Sequence, residues 1–76
     1  MAELRKISGK EAVKILCNKF GFQITGRKGS HVRLSKQIEN GKVGTVVPMH
    51  KELKIGTLKA ILKQANISTV EFVKFV

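Results

Sequence analysis

The sequence has no tryptophan and no tyrosine, one cysteine, one proline and only five acidic residues. Each shortage excludes something. Of the four phenylalanines, Phe20, Phe22 and Phe72 fall on apolar stripes that predict a core, and Phe75 is unassigned. The chain therefore lacks the exposed aromatic platform on which sequence-reading single-strand RNA modules stack bases. A lone cysteine forms no intramolecular disulfide. Cys17 stands on the apolar stripe of a predicted helix and reads as a small core residue. One proline and little serine leave no linker, and there is no repeat or low-complexity segment. No apolar run approaches the roughly 18 residues of a membrane span. Met1 to Lys10 lacks the apolar stretch of a signal peptide, so a cytoplasmic location is expected. Two histidines, one cysteine on a helix face and scattered glutamates show no metal-ligand spacing. Neither a metal nor another cofactor is expected.

Against these shortages stands an excess of cations. Fifteen lysines and arginines give a formal net charge of +10, spread from Arg5 to Lys74 with no basic tail. A folded domain with that field attracts polyanions and speeds their encounter. Nucleic acid is the first partner this implies and a membrane surface a weaker second, while a merely soluble basic surface is the bland alternative. At 76 residues the chain reads as one domain, residues 1–76. A domain this short hides only about 60% of the surface its unfolded chain exposes. The expected core is thin, one layer of helices on one small sheet. A reaction would then use a surface site and a large substrate.

Ser8-Gly9-Lys10-Glu11 reads as a capping box, in which the serine hydroxyl and the glutamate carboxylate each satisfy a backbone amide. Ile7 before the cap is placed to staple onto Ala12. Val13, Leu16, Cys17 and Phe20 follow with the spacing of one helical face, and Gly21 suits the left-handed residue that ends a helix. This predicts a helix over 9–20. From Phe22 to Arg27 the period changes to two, with Phe22 and Ile24 on one face and Gln23, Thr25 and Arg27 on the other. Lys28-Gly29-Ser30 is a turn. His31 to Lys36 repeats the pattern, with Val32 and Leu34 inward and His31, Arg33 and Ser35 outward. Glu39-Asn40-Gly41-Lys42 is a hairpin turn, and Val43 to Val47 a third strand stopped by Pro48. After a loop from Met49 to Lys54, Leu58, Ile61, Leu62 and Ala65 form a second helical stripe starting near Thr57, with Asn66 as its left-handed cap. Ser68-Thr69-Val70-Glu71 is a second capping box that opens a short final helix through Phe72 and Val73. That segment is so rich in β-branched residues that a fourth strand is the alternative.

The expected fold is α+β, in the order α-β-β-β-α with a short C-terminal helix. Three antiparallel strands carry the helices on one face, an architecture shared with double-stranded-RNA-binding domains. The other face is then open and displays Gln23, Thr25, Arg27, His31 and Arg33. Histidine changes charge near neutral pH and is the commonest general base. Arg27, Lys28 and Arg33 place cations beside His31. An ordinary exposed histidine is the competing reading of His31. His50, after Pro48, reads either as a structural residue satisfying loop backbone or as the second histidine of an acid–base pair. A Ser-His-acid triad is not supported, because Ser30 adjoins His31 and no acid has an orienting role. Gly26-Arg27-Lys28-Gly29-Ser30 is similar to a turn whose backbone amides hold phosphate, but it lacks the Lys-Ser/Thr ending and the helix of a Walker motif.

Gly29-Ser30-His31 at the start of the second strand resembles the signature of HicA toxins, also called YcfA-like proteins. Val46-Val47-Pro48-Met49-His50, Ile55-Gly56-Thr57-Leu58, Ile61-Leu62, Ile67-Ser68 and Glu71-Phe72 continue the resemblance in the same order, from about Lys6 to Phe75. Asn66 stands where many relatives have glycine, and both suit a left-handed cap. The resemblance implies a double-stranded-RNA-binding-like fold and an mRNA-cleaving toxin that arrests translation. It implies His31 as the catalytic residue and a HicB-type antitoxin that covers the active surface. The reaction then expected is metal-independent. His31 takes the proton of a ribose 2′-hydroxyl, and Arg27, Lys28, Gly29, Ser30 and Arg33 contact phosphate. Lys28, His50 and water are all open as the acid. A non-catalytic module gripping duplex RNA by phosphates and 2′-hydroxyls is the alternative.

Overall fold

The computed structural model describes residues 3–76. Helix α1 spans Gly9–Phe20, followed by β1 (Gln23–Lys28), β2 (His31–Ile38), β3 (Gly41–Pro48), α2 (Ile55–Gln64) and α3 (Thr69–Val73). The strands form one antiparallel sheet in the order β1-β2-β3. The last apolar segment is therefore helix and adds no fourth strand.

Local chemistry fixes the helix ends. The Ser8 hydroxyl accepts the Glu11 amide at 3.0 Å, and Ser68 accepts that of Glu71 at 3.1 Å. In the second box the Glu71 carboxylate accepts from the Ser68 hydroxyl, also at 3.0 Å, rather than from its amide. Gly21 closes α1 in the left-handed region at φ 75°, and Asn66 takes the same region at φ 59° after α2, as their small or locally bonding side chains permit. Helix α2 starts two residues ahead of Thr57, after Lys54, and has no side-chain cap.

The hairpin between β2 and β3 is tighter than its turn residues suggest. Ile38 pairs with Gly41, so the loop is only Glu39-Asn40. Both strands extend beyond 31–36 and 43–47, and Gly41 supplies a φ of 143° that other residues rarely adopt.

The core joins Ala12, Val13 and Leu16 of α1, Val32, Leu34 and Val47 of the sheet, Leu58, Ile61 and Leu62 of α2, and Phe72 of α3. Ile7 and Ala12 are both buried in it, as a staple requires. Phe20 stacks on Phe72 with ring centroids 6.1 Å apart, and exposed Phe75 meets Phe20 edge-on at 5.5 Å. Cys17 is half-buried against the same core, and burial pushes its thiol above the ordinary value. Thr45, the one buried polar residue of the described core, lies 3.2 Å from the Ile61 carbonyl and 3.0 Å from Gln64 Oε1. Its single hydroxyl proton serves one of these acceptors at a time, and both tie β3 to the end of α2.

Two expectations for β1 fail for physical reasons. Ile24 lies opposite Leu34, on the helix side of the sheet, yet it is 58% exposed. Both α1 and α2 pack on β3, whereas the main neighbour of β1 is β2, so β1 overhangs the covered area. Between Ile24 and Gly26 the pairing slips by one residue. Such a bulge moves every later side chain to the other face. Arg27 consequently pairs with Val32 on the helix side, and Lys28 takes the open side opposite His31.

Candidate nucleic-acid interface and catalytic site

His31 opens β2 just after the two-residue turn Gly29-Ser30, where Gly29 adopts φ 58°. Its neighbours across the sheet are Lys28 on β1 and Pro48 on β3. The next row on the same face is Gly26, Arg33 and Val46, because residues two apart on a strand share a face. His31, Lys28 and Arg33 are all exposed. Together with Gly26, Arg27 and Val46 they line a hollow of about 220 Å³. Arg27 thus borders the site although the bulge assigns its backbone position to the other side, since an edge strand leaves a long side chain room to reach round.

Gly26 gives this hollow its space. A β-carbon built there meets nothing within 4 Å, so a side chain would project into the hollow itself. The positive charge is uncompensated. Among the described residues the one ion pair is Lys6–Glu52, 3.8 Å apart and exposed, away from this face. Arginine and lysine without carboxylate partners remain available to phosphate.

The turn that presents His31 is held from behind. The Ser30 carbonyl accepts the Met49 amide at 2.6 Å, and the His50 carbonyl accepts the Gly9 amide at 2.9 Å. Leu53 then donates to the Ile7 carbonyl at 2.7 Å. Gly9 allows this clasp, since a β-carbon at that position would run into the Pro48 carbonyl oxygen. His50 thus serves the first free amide of α1 through its backbone, satisfying a group that every helix start leaves open. Its side chain is exposed and does not line the His31 hollow.

The structure brings His31, Lys28, Arg33 and Arg27 together at one end of the sheet, with Gly29 and Ser30 forming the adjoining turn. It does not bring His50 into that group. Val46 was missed as a lining residue, and Gly26, read with Arg27 and Lys28 as part of a phosphate-holding turn, lies with them in β1 instead. The signal for both is their ladder position beside Arg33, which the bulge conceals for Gly26 alone. Among the described residues no three His, Cys, Asp or Glu side chains gather as metal ligands, and no helix is long and apolar enough to cross a membrane.

Fold and face together define a class, a small α+β domain with an open cationic sheet surface. Residues 9–67 match the family described as "HicA toxin of bacterial toxin-antitoxin". The chain belongs to the HicA toxin family, and that membership implies an antitoxin partner. No match is found among curated proteins or among solved structures.

Proposed function

We propose that this chain is an endoribonuclease that cleaves mRNA at the His31 hollow and thereby arrests translation. The observation that carries the reading is the placement of a single exposed imidazole opposite Lys28 and one row from Arg33 on an otherwise open face. A neutral imidazole nitrogen of His31 takes the proton from a ribose 2′-hydroxyl. The 2′-oxygen bonds to the adjoining phosphorus as the bond from phosphorus to the 5′-oxygen breaks. The products are a 2′,3′-cyclic phosphate and a 5′-hydroxyl. General-base assistance of this type contributes roughly 10²–10⁴ in rate. Arg33 and Arg27 stabilise the charge that builds on the phosphoryl oxygens, and the Gly29-Ser30 turn positions the backbone beside it. Lys28, facing His31 across the ladder, carries the proton for the leaving oxygen. The antitoxin, of HicB type, covers this face and meets its cations with acidic groups.

The test is incubation of wild type and His31→Ala with labelled RNA in EDTA. Wild type alone should cut, leaving cyclic phosphate ends, while His31→Ala keeps its RNA affinity. Full cleavage by His31→Ala, or cutting of DNA, which has no 2′-hydroxyl, would reject this chemistry.

A further inference from the structure

The open face holds a second hollow that the proton transfer at His31 does not use. At about 710 Å³ it is much larger than the first, about 220 Å³, and of a size that takes small-molecule fragments elsewhere. It crosses the sheet from Thr25 on β1 over Ser35 on β2 to Gly44 on β3, and at the β3 edge its lining turns to Leu34 and Thr45 of the covered side and to Gln64 at the end of α2. Arg33 and Val46 line both hollows, so this row is the ridge between them. Ser35 and Gly44 face each other across the ladder, which leaves the floor nearly free of side-chain bulk. Lys42 adds a second cation to Arg33 at the margin. Hydrogen-bonding groups on the open side come from Thr25 and Ser35.

The chemistry at the neighbouring site, on which this inference rests, says what belongs here. A 2′-hydroxyl displaces the 5′-oxygen only when the two lie in line through phosphorus, and a stacked A-form duplex holds them out of line. The nucleotides flanking the cut must therefore part from one another. We infer that the Gly44 hollow binds an unpaired ribonucleotide adjoining the scissile phosphate. Its base lies over Gly44 within reach of Ser35 and Thr25. Arg33 on the ridge holds the phosphate between the two nucleosides, and Lys42 meets the next one. The His31 row and the Ser35–Gly44 row are two same-face steps apart, about 13 Å along the strands, so one chain spans both hollows. Hydrogen bonds to base edges replace the stacking that this face, without aromatics, does not offer.

The test uses the His31→Ala protein, expected to hold RNA without cutting it, and a short labelled single-stranded RNA titrated over a range of salt. Adding Lys42→Gln should weaken binding several-fold and reduce the slope of log K against log salt by about 0.7, the loss of one single-strand phosphate contact. Lys59→Gln, at an exposed position of α2 outside both hollows, should leave affinity and slope unchanged. A duplex of the same length should bind more weakly than the single strand and respond little to Lys42→Gln. Equal losses for Lys42→Gln and Lys59→Gln would overturn the subsite, as would a duplex that binds as tightly as the single strand. Cleavage by wild type with either of these results removes the subsite and leaves the His31 site standing, whereas no RNA binding at all overturns both.

Discussion

Along β2, alternate residues meet opposite environments. Val32 and Leu34 are 3% and 0% exposed, packed under α1, α2 and α3, while His31 and Arg33 stand open to solvent among unpaired cations. One face is filled and holds the fold together. The other is left with glycine at Gly26 and Gly44, and buries nothing. On a chain this small the same strand must do both, and the difference is set by which side the helices cover. Stability and activity should therefore separate by face.

The largest effect should come from the covered side. Leu34→Ala deletes a fully buried side chain and should cost about 2–5 kcal/mol. That is a large share of the roughly 4–11 kcal/mol expected for a domain of this length. His31→Ala, one turn of the pleat away in face, should stay within about 0.5 kcal/mol of wild type while losing cleavage. Urea unfolding of both variants beside an RNA assay checks this, and a comparable stability loss for His31→Ala would erase the distinction between the faces.

Two glycines sharpen the comparison. Gly9→Ala adds a methyl group against the Pro48 carbonyl, and overpacking of this kind costs about 1–3 kcal/mol despite the better helix propensity of alanine. Gly26→Val meets open space, so its melting temperature should stay near that of wild type while the filled hollow slows RNA cleavage. The opposite ranking of the two melting temperatures would show that the contact at Gly9 is not a constraint.

The smallest effect concerns Cys17. Burial raises its thiol above the ordinary value, so the folded protein holds that proton more tightly than the unfolded chain. The linked stability is complete below the unfolded value and is lost as pH rises through the folded one. Alkylation of native protein in mild alkali should be slower than that of urea-unfolded protein. Equal rates would show the thiol to be fully exposed.

What was legible in the sequence follows from how locally each feature is determined. Ser8 and Glu11, or Ser68 and Glu71, lie three residues apart and find each other whatever the rest of the chain does, so helix starts could be read directly. Val32 and Leu34 could be assigned inward because a period of two survives unbroken through β2. The slip at Gly26 could not. A bulge inserts one residue without changing composition or hydrophobicity, and it exchanged the sides of Arg27 and Lys28. The exposure of Ile24 was equally hidden, since nothing in Phe22-Gln23-Ile24 states how far α1 and α2 extend across the sheet. His31 could be singled out because the chain has only two histidines and one of them begins a strand. The backbone duty of His50 depends on Gly9, far away in the chain, and no local pattern signals it.

The clasp behind the His31 turn sets an order of events at synthesis. Gly9 and Ile7 leave the ribosome well before their partners His50 and Leu53, and Ser30 before Met49, which braces it. Contacts between such distant segments form only after the intervening loop has closed. A nascent chain that ends before Leu53 carries His31 on an unbraced hairpin and lacks α2 altogether. The finished surface therefore arises only after Leu53 and α2 have been made, so the turn that carries His31 is braced well after it has itself been synthesised.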